Sequence, residues 1–248
     1  MTLVRHTYLD DPTIPDVIFR QVKVHVWPEF MFHDPIANEY WHHLRESFPG
    51  TNFALKDPAG AIVAVGHAAP FFWDRPLEEL PDAGWDAVFV RAAEDFTAGR
   101  SPNVMTALEA SVVPSYRGQG VSRRVIEEMR SLARDRGFRT LVAPVRPSWK
   151  ARYPLTPIER YIAWTTGEGL PFDPWLRTHA RMGARIVKVA PESMRITGTV
   201  AEWEERTGMR FPESGAYVVP GALVPVTIDR ERDEGLYVEP NVWMAHTV

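Results

Sequence analysis

Between an apolar run, NVMTALEASVV, and an amphipathic one, VSRRVIEEMRSLARDRGF, lie Pro114-Ser115-Tyr116-Arg117-Gly118-Gln119-Gly120-Val121-Ser122. A glycine-rich turn that opens a helix leaves several backbone N–H groups unpaired at the positive end of the helix dipole. Such a place suits an anion, best a phosphate or pyrophosphate. An ordinary strand-to-helix turn uses the same residue types and is the competing reading. Two other phosphate motifs are absent: no Lys-Ser/Thr pair follows the second glycine, as a Walker loop needs, and no third glycine completes a dinucleotide fingerprint.

The elements that must hold this turn are legible around it. Residues 103–113 read as a strand and 121–138 as a helix, with Val121, Val125, Ile126, Met129, Leu132 and Ala133 on its apolar stripe and Gly137 as its C-cap. TLVAPV follows as a buried strand. Upstream, Ile18–Val26 alternates over its second half and predicts a half-buried strand. EFMFHDPIANEYWHHLRESF predicts a helix with Ile36, Tyr40, His43, Leu44 and Phe48 on one side, ended by Pro49 and Gly50. NFALKDPAGAIVAVGHAA predicts a hairpin turning at Asp57-Pro58-Ala59-Gly60. The aromatic stretch from Phe71 to Phe96 carries a helix over GWDAVFVRAAEDF and reads as a cover over a pocket. PFDPWLRTHARMG predicts a short helix begun at Asp173-Pro174 and stopped near Gly183. Beyond Val187, strand-like pieces surround one short helix at VAEWEERTG.

Composition bounds the function. With 248 residues, 45% hydrophobic and 24% charged, the chain can bury a core and is neither disordered nor fibrous. A formal net charge of −4 argues against a nucleic-acid surface. Cysteine is absent, which excludes disulfides, thiolate metal sites and a catalytic thiol. The N-terminal MTLVRHTYLDDPTIPD has no apolar core behind its basic residue, so no secretory signal is expected. No segment approaches a membrane span. The expectation is a cytoplasmic protein with no nucleic-acid or membrane partner; two-fold dimers are the commonest assembly for such a chain.

The run VVPSYRGQGVSRRVIEEMRSLARDRG resembles the signature of the GNAT superfamily, the CoA-dependent N-acyltransferases: Arg or Gln, two residues, Gly, one residue, then Gly or Ala. Arg117 and Gly120 match, and Ser122 stands where Gly or Ala is usual. The order of elements is similar as well, from about Ile18 to Val189. The resemblance implies an α/β fold of α+β type. It has a mixed, mostly antiparallel twisted sheet flanked by helices, forming one domain over residues 1–248 with a C-terminal elaboration from about 190. It implies acetyl-CoA or another acyl-CoA as co-substrate, no metal, and a small-molecule amine as acceptor attacked directly in a ternary complex. Backbone groups of Gly118, Gln119, Gly120, Val121 and Ser122 would hold the pyrophosphate with Arg117 beside it. The chain around Val112 and Val113 would pair with the pantetheine arm as an added strand does.

The same resemblance points to two catalytic candidates. Glu109, in the strand before the signature, would act as base or hold the amine; a strand glutamate paired with an arginine on a solvated face has the same sequence. His179 stands where the family often has a tyrosine that protonates the CoA sulfur, four residues before the glycine that resembles Gly183. An imidazole can do that work, a histidine packed near a helix end is the other reading, and Tyr153 and Tyr161 are substitutes for the role. The family's asparagine near this helix start is replaced by Phe172-Asp173. A non-catalytic acyl-CoA-binding module would keep the loop without needing Glu109 or His179.

Other features carry less. His42 and His43 diverge by about 100° on a helix and, with His33, make no zinc set. Lys150 and Arg152 could reach CoA phosphates or be solvated. Asp229 to Gly235 reads as an exposed turn, and Glu239-Pro240-Asn241-Val242-Trp243 as a fixed structural or pocket segment.

Overall fold

The computed structural model describes residues 2–248. Nine strands form one sheet: β1 Val4–Thr7, β2 Phe53–Lys56, β3 Ile62–Phe71, β4 Val104–Val112, β5 Thr140–Val145, β6 Arg185–Gly198, β7 Gly215–Tyr217, β8 Val226–Asp229 and β9 Glu234–Thr247. Their order is β1-β2-β3-β4-β5-β9-β8-β7, with β6 on the other edge of β9. Every pairing is antiparallel except β4 with β5. That parallel contact has two register pairs, Met105 with Leu141 and Thr106 with Val142. Beyond them the strands splay. β9 is the long element on which the C-terminal half is built, since β5, β6 and β8 all pair with it.

Among the described residues, eight α-helices flank the sheet: α1 Ile14–Gln21, α2 Pro35–Tyr40, α3 His43–Glu46, α4 Gly84–Thr97, α5 Val121–Asp135, α6 Ile158–Ile162, α7 Pro174–Arg181 and α8 Val200–Thr207. α5 buries its whole expected stripe, with Val121, Val125, Met129, Leu132 and Ala133 packed in one cluster with residues of β3 and β4. The opposite face carries α4 and the N-terminal helices over a core that includes Trp73, Phe89, Trp203 and Trp243. α8 begins at a capping box in which Thr199 and Glu202 satisfy each other's backbone N–H groups. No helix among the described residues is long and apolar enough to cross a membrane.

The fold corrects four expectations. Residues 18–26 are not a strand: Pro15 starts α1, and Ile14, Ile18 and Val22 fall on one buried helical face, which outweighs the Val22-Val24-Val26 alternation. A short 3-10 turn, Lys23–His25, follows. The helix expected over 29–48 is broken into a 3-10 turn, α2 and α3, because Asp34 caps a new start at Pro35. The fragments bring the rings of His42 and His43 together, centroids 4.2 Å apart, where one helix would splay them. Of the strand-like pieces expected in the C-terminal third, ARIVKV and the start of RITGTV are joined in one irregular strand, β6. Among the aromatics of 71–96, Phe71, Trp73, Trp85 and Phe89 are core, packing α4 on the sheet, and Phe96 is exposed.

Below α4 lies an acidic knot. Asp34 Oδ1 accepts the Ala37 N–H at 2.7 Å and Asp86 Oδ2 accepts the Arg195 N–H at 3.1 Å. Asp34 Oδ2 and Asp86 Oδ1 are buried without a partner. Burial and Glu239 push the Asp34 carboxyl above its ordinary range, and burial, Asp34 and Glu239 push Asp86 up as well. Carboxyls raised in the fold bind more protons folded than unfolded, so their contribution is fullest in acid. It falls as pH climbs from the ordinary carboxylate range, about 4, toward the raised values. Replacing Asp86 by Asn removes this ionisation. D86N is expected to melt higher than the wild type near pH 8, with the gap closing near pH 5; a gap that does not change with pH would contradict the assignment.

Candidate active site

The splay between β4 and β5 opens a cleft of about 1000 Å³. β4 contributes Ala107, Leu108, Glu109, Ala110 and Val112, β5 contributes Leu141, Ala143, Pro144 and Val145, and α5 contributes Ser122, Ile126 and Met129. Opposite Glu109 and Ala107 on β4, His67 and Ala68 on β3 are consecutive, so Leu108 is an extra residue in the ladder. This bulge interrupts strict alternation and brings Leu108 and Glu109 both to the cleft wall. The Val113 N–H bonds to Val63 of β3, at 3.0 Å. Backbone alternation then sends the polar groups of Val112 and Ala110 toward β5, into the gap. Of the two valines expected to meet a pantetheine arm, Val112 lines the cleft and Val113 packs against the core.

The glycine turn opens α5 as expected. Gly118 and Gly120 adopt φ of +77° and +78°, and no atom lies within 4 Å of a Cβ built at either. Glycine is needed here for its backbone conformation, not for room. Gly120 is the N-cap of α5 with no side chain bonded to the first-turn N–H groups, which leaves them for a ligand. Arg117 and Ser122 border the cleft, Arg117 with its Nε donating to the Val112 carbonyl at 3.4 Å. Arg152 lines the same cleft, over Trp149 at 4.7 Å. Lys150 does not: it is fully buried and its Nζ donates to Tyr153 and Leu223 carbonyls at 2.9 and 2.7 Å.

Glu109 sits on the cleft floor among polar partners. Its Oε1 accepts from Ser111 Oγ at 2.6 Å and Trp27 Nε1 at 3.1 Å. Its Oε2 accepts from His67 Nδ1 at 2.8 Å and lies 3.6 Å from Lys23 Nζ. Burial alone would raise this carboxyl, but the Lys23 ammonium and the hydrogen bonds from His67 and Ser111 outweigh it and hold Glu109 below the usual range. The Lys23 Nζ is also 3.2 Å from the centroid of the Trp41 ring. Burial pushes the lysine itself downward, against the pull of Glu109. His67 is completely buried, and its Nε2 faces the Tyr8 hydroxyl at 2.5 Å.

His179 lines the other side of the cleft, on α7, which Asp173 caps through the N–H groups of Trp175 and Leu176. Its Nδ1 is 2.9 Å from His246 Nε2, and its Nε2 is buried without a partner. Burial, with His246 beside it, pushes His179 down to about 3, so the ring is neutral near pH 7. Neither Tyr153 nor Tyr161 lines the cleft; the Tyr161 hydroxyl donates to Asp173 at 2.8 Å. Glu239 and Asn241 do line it, with Glu239 bound to Arg146 at 2.9 Å, Tyr237 at 2.7 Å and Asn241 at 3.1 Å.

The structure therefore brings Glu109, His179, Val112, Arg117 and Ser122 to one cleft. It adds Tyr8, Lys23, Trp27 and Trp41, which sequence reasoning passed over along with His67, buried behind them against Glu109. Their signal was weak: Tyr8 and Lys23 fall in segments read as featureless or as a strand, and His67 in an apolar run.

A cleft between splayed parallel strands, a glycine turn that leaves N–H groups free at a helix start and a buried carboxylate beside it fit an acyl-CoA-dependent transferase. No family model matches the chain. It is similar to the arginine N-acetyltransferase avaD of Aspergillus versicolor, 33% identical over 250 aligned positions covering 90% of this chain and 86% of that one. Among solved structures, the loading GNATL domain of CurA from Lyngbya majuscula superposes with a TM-score of 0.63 at 20% identity, covering 99% of this chain and 96% of that one. The GphF GNAT-like decarboxylase in complex with isobutyryl-CoA gives 0.59 at 17% identity, covering 100% and 99%. The chain belongs to the GNAT superfamily and is a CoA-dependent N-acetyltransferase.

If backbone N–H groups bind the pyrophosphate, strain at the loop matters more than its side chains. G120A forces a residue with a Cβ to positive φ at about 1–2 kcal/mol, and the KM for acetyl-CoA is expected to rise roughly tenfold with kcat little changed. S122A should leave that KM near the wild-type value. Steady-state kinetics of the pair decide; a larger effect from S122A would move the binding to the hydroxyl.

Proposed function

We propose that the protein transfers an acetyl group from acetyl-CoA to a nitrogen of a small cationic amine of the arginine class. The observation that carries this reading is the similarity over 90% of the chain to an arginine N-acetyltransferase. The cleft beside Glu109 is also lined by Asp16, Trp27, Trp41 and Trp85, side chains of the kinds that hold cations, a cation–π contact contributing about 0.5–2 kcal/mol. The name of the Aspergillus relative supports arginine itself as the first acceptor to try.

In this reading the pantetheine arm pairs with the free edge of β4 and delivers the thioester carbonyl beside the bulge. The acceptor nitrogen attacks it directly, since the chain has no cysteine to carry an acyl group. Glu109 holds charge near the acceptor. His179, neutral, meets the departing thiolate through a ring N–H; such a donor stabilises developing negative charge without being an acid of matched pKa.

Thiol release from acetyl-CoA over a set of amines tests this, because any thiol formed must come from CoA. L-arginine and its decarboxylated analogue are expected to react at least about tenfold more efficiently than the amide of glycine, which has no guanidinium, as one cation–π contact accounts for about 1.4 kcal/mol. H179F is expected to lower kcat by about tenfold to a thousandfold, the range for loss of one preorganised donor, with the KM for acetyl-CoA unchanged. No turnover with any cationic amine, beside intact CoA binding, would overturn the reading.

A further inference from the structure

Tyr8, His67 and Glu109 come from three separate parts of the chain and form one continuous hydrogen-bonded line. An ionised carboxylate can only accept, so His67 Nδ1 must carry the proton shared with Glu109 Oε2 at 2.8 Å. The neutral ring then has a lone pair on Nε2, and the Tyr8 hydroxyl must donate to it at 2.5 Å. Only one tautomer satisfies both contacts. His67 is completely buried with no exposure of its own, whereas Tyr8 and Glu109 both line the cleft. Tyr8 is the end of the line that presents a hydroxyl to the cleft.

We infer that Tyr8 and His67 are the proton-accepting pair of the acyl transfer: the Tyr8 hydroxyl touches the acceptor nitrogen and relays its proton to His67, while Glu109 orients and compensates the ring. This rests on the reading of the acceptor as a protonated amine. An alkyl ammonium, with a pKa near 10 when it resembles lysine, is almost wholly charged near pH 7 and must lose a proton before it attacks. That proton passes to Tyr8 Oη as the phenolic proton passes to His67 Nε2. The freed nitrogen forms its bond to the thioester carbon. When the carbon–sulfur bond breaks, the second nitrogen proton leaves for the thiolate sulfur, and His67 returns its proton to water through Tyr8 as the products depart. Tyr8 is a catalytic residue in this scheme; Glu109 acts through His67 and is a positioning residue.

The environment fits a transient charge on His67. Burial and Glu109 push the Tyr8 phenol upward, which keeps Tyr8 a bridge and prevents it from resting as phenolate. Burial pushes His67 downward although Glu109 opposes it, so the resting ring is neutral and able to accept. Lys23 keeps Glu109 ionised. A histidine oriented by a buried carboxylate and facing a hydroxyl is the division of labour found in catalytic triads. Here the hydroxyl conducts a proton and makes no covalent bond.

The test compares two acceptors in wild type and Y8F. With L-arginine, Y8F is expected to lower kcat/KM at least about a hundredfold, the range for loss of a general base. With a hydrazide, whose nitrogen is already neutral at the assay pH, the loss should be much smaller. Equal losses with both acceptors, or no loss with arginine, would overturn the relay. H67Q should follow Y8F, and E109Q should lower kcat while leaving the KM for acetyl-CoA unchanged. A measurement on the unaltered protein guards against misfolded variants: nitrogen-15 spectra of the histidine side chains should show His67 protonated at Nδ1 and bare at Nε2. The opposite tautomer would end the proposal. Wild-type protein that acetylates no amine would refute the function above, whereas wild-type turnover with Y8F unimpaired would refute only the relay.

Discussion

Everything in the site depends on two parallel strands parting after two residue pairs. β4 and β5 pair only at Met105–Leu141 and Thr106–Val142, and the backbone beyond is left to be satisfied by something other than its neighbour. Unpaired buried backbone polar groups are costly, about 1–3 kcal/mol each, so the gap is a demand for an extended polar ligand. The sheet tolerates it because each strand is secured on its other edge. β3 pairs β4 through Val112, and β9 pairs β5 along all of Thr140–Val145. The long C-terminal strand is therefore what keeps the cleft from collapsing or unravelling.

The two halves of the cleft have different origins. The side formed by β4, the glycine turn and the first turns of α5 is local: these follow one another within about twenty residues, the scale of one strand–helix unit. Such a unit can be recognised from its residues alone. The side around Glu109 is assembled from afar. Tyr8 follows β1, Lys23 and Trp27 come after α1, Trp41 joins α2 to α3, and all converge on Glu109 and His67. Buried charge enforces this convergence. Glu109 removed from water needs donors on both oxygens, and it takes them from Trp27, Ser111, His67 and Lys23. The arrangement fixes the N-terminal segment over the cleft and gives the acceptor pocket its charge pattern.

What the sequence made readable follows the same division. The hairpin at Asp57–Gly60, the strand and helix around the glycines, and the start of α7 at Asp173 all rest on short-range rules of turn, cap and periodicity, and the structure has them where expected. Residues 18–26 misled because three valines spaced by two imitate a strand, while the three-turn apolar face that wins, Ile14, Ile18 and Val22, begins outside that window. The aromatics of 71–96 looked like a cover for a pocket but are mostly core; of them Trp85 alone lines the cleft, whose other aromatics, Trp27, Trp41, Trp149 and Trp175 among them, come from other parts of the chain. Lys150 looked solvated because nothing in its neighbours announces the Leu223 carbonyl, 73 positions away, that receives its ammonium. Glu109 and His179 were found through a family resemblance, yet what each touches could not be read. His67 and Tyr8, 59 positions apart, meet only through sheet pairing.

The most direct test of this account is a crystal structure with CoA and L-arginine bound together. The account predicts the pantetheine arm between β4 and β5, hydrogen-bonded to backbone groups of Ala110 and Val112, the pyrophosphate at the start of α5, and an arginine nitrogen within hydrogen-bond reach of the Tyr8 hydroxyl. A complex in which β4 and β5 close on each other and CoA lies outside the gap would contradict it.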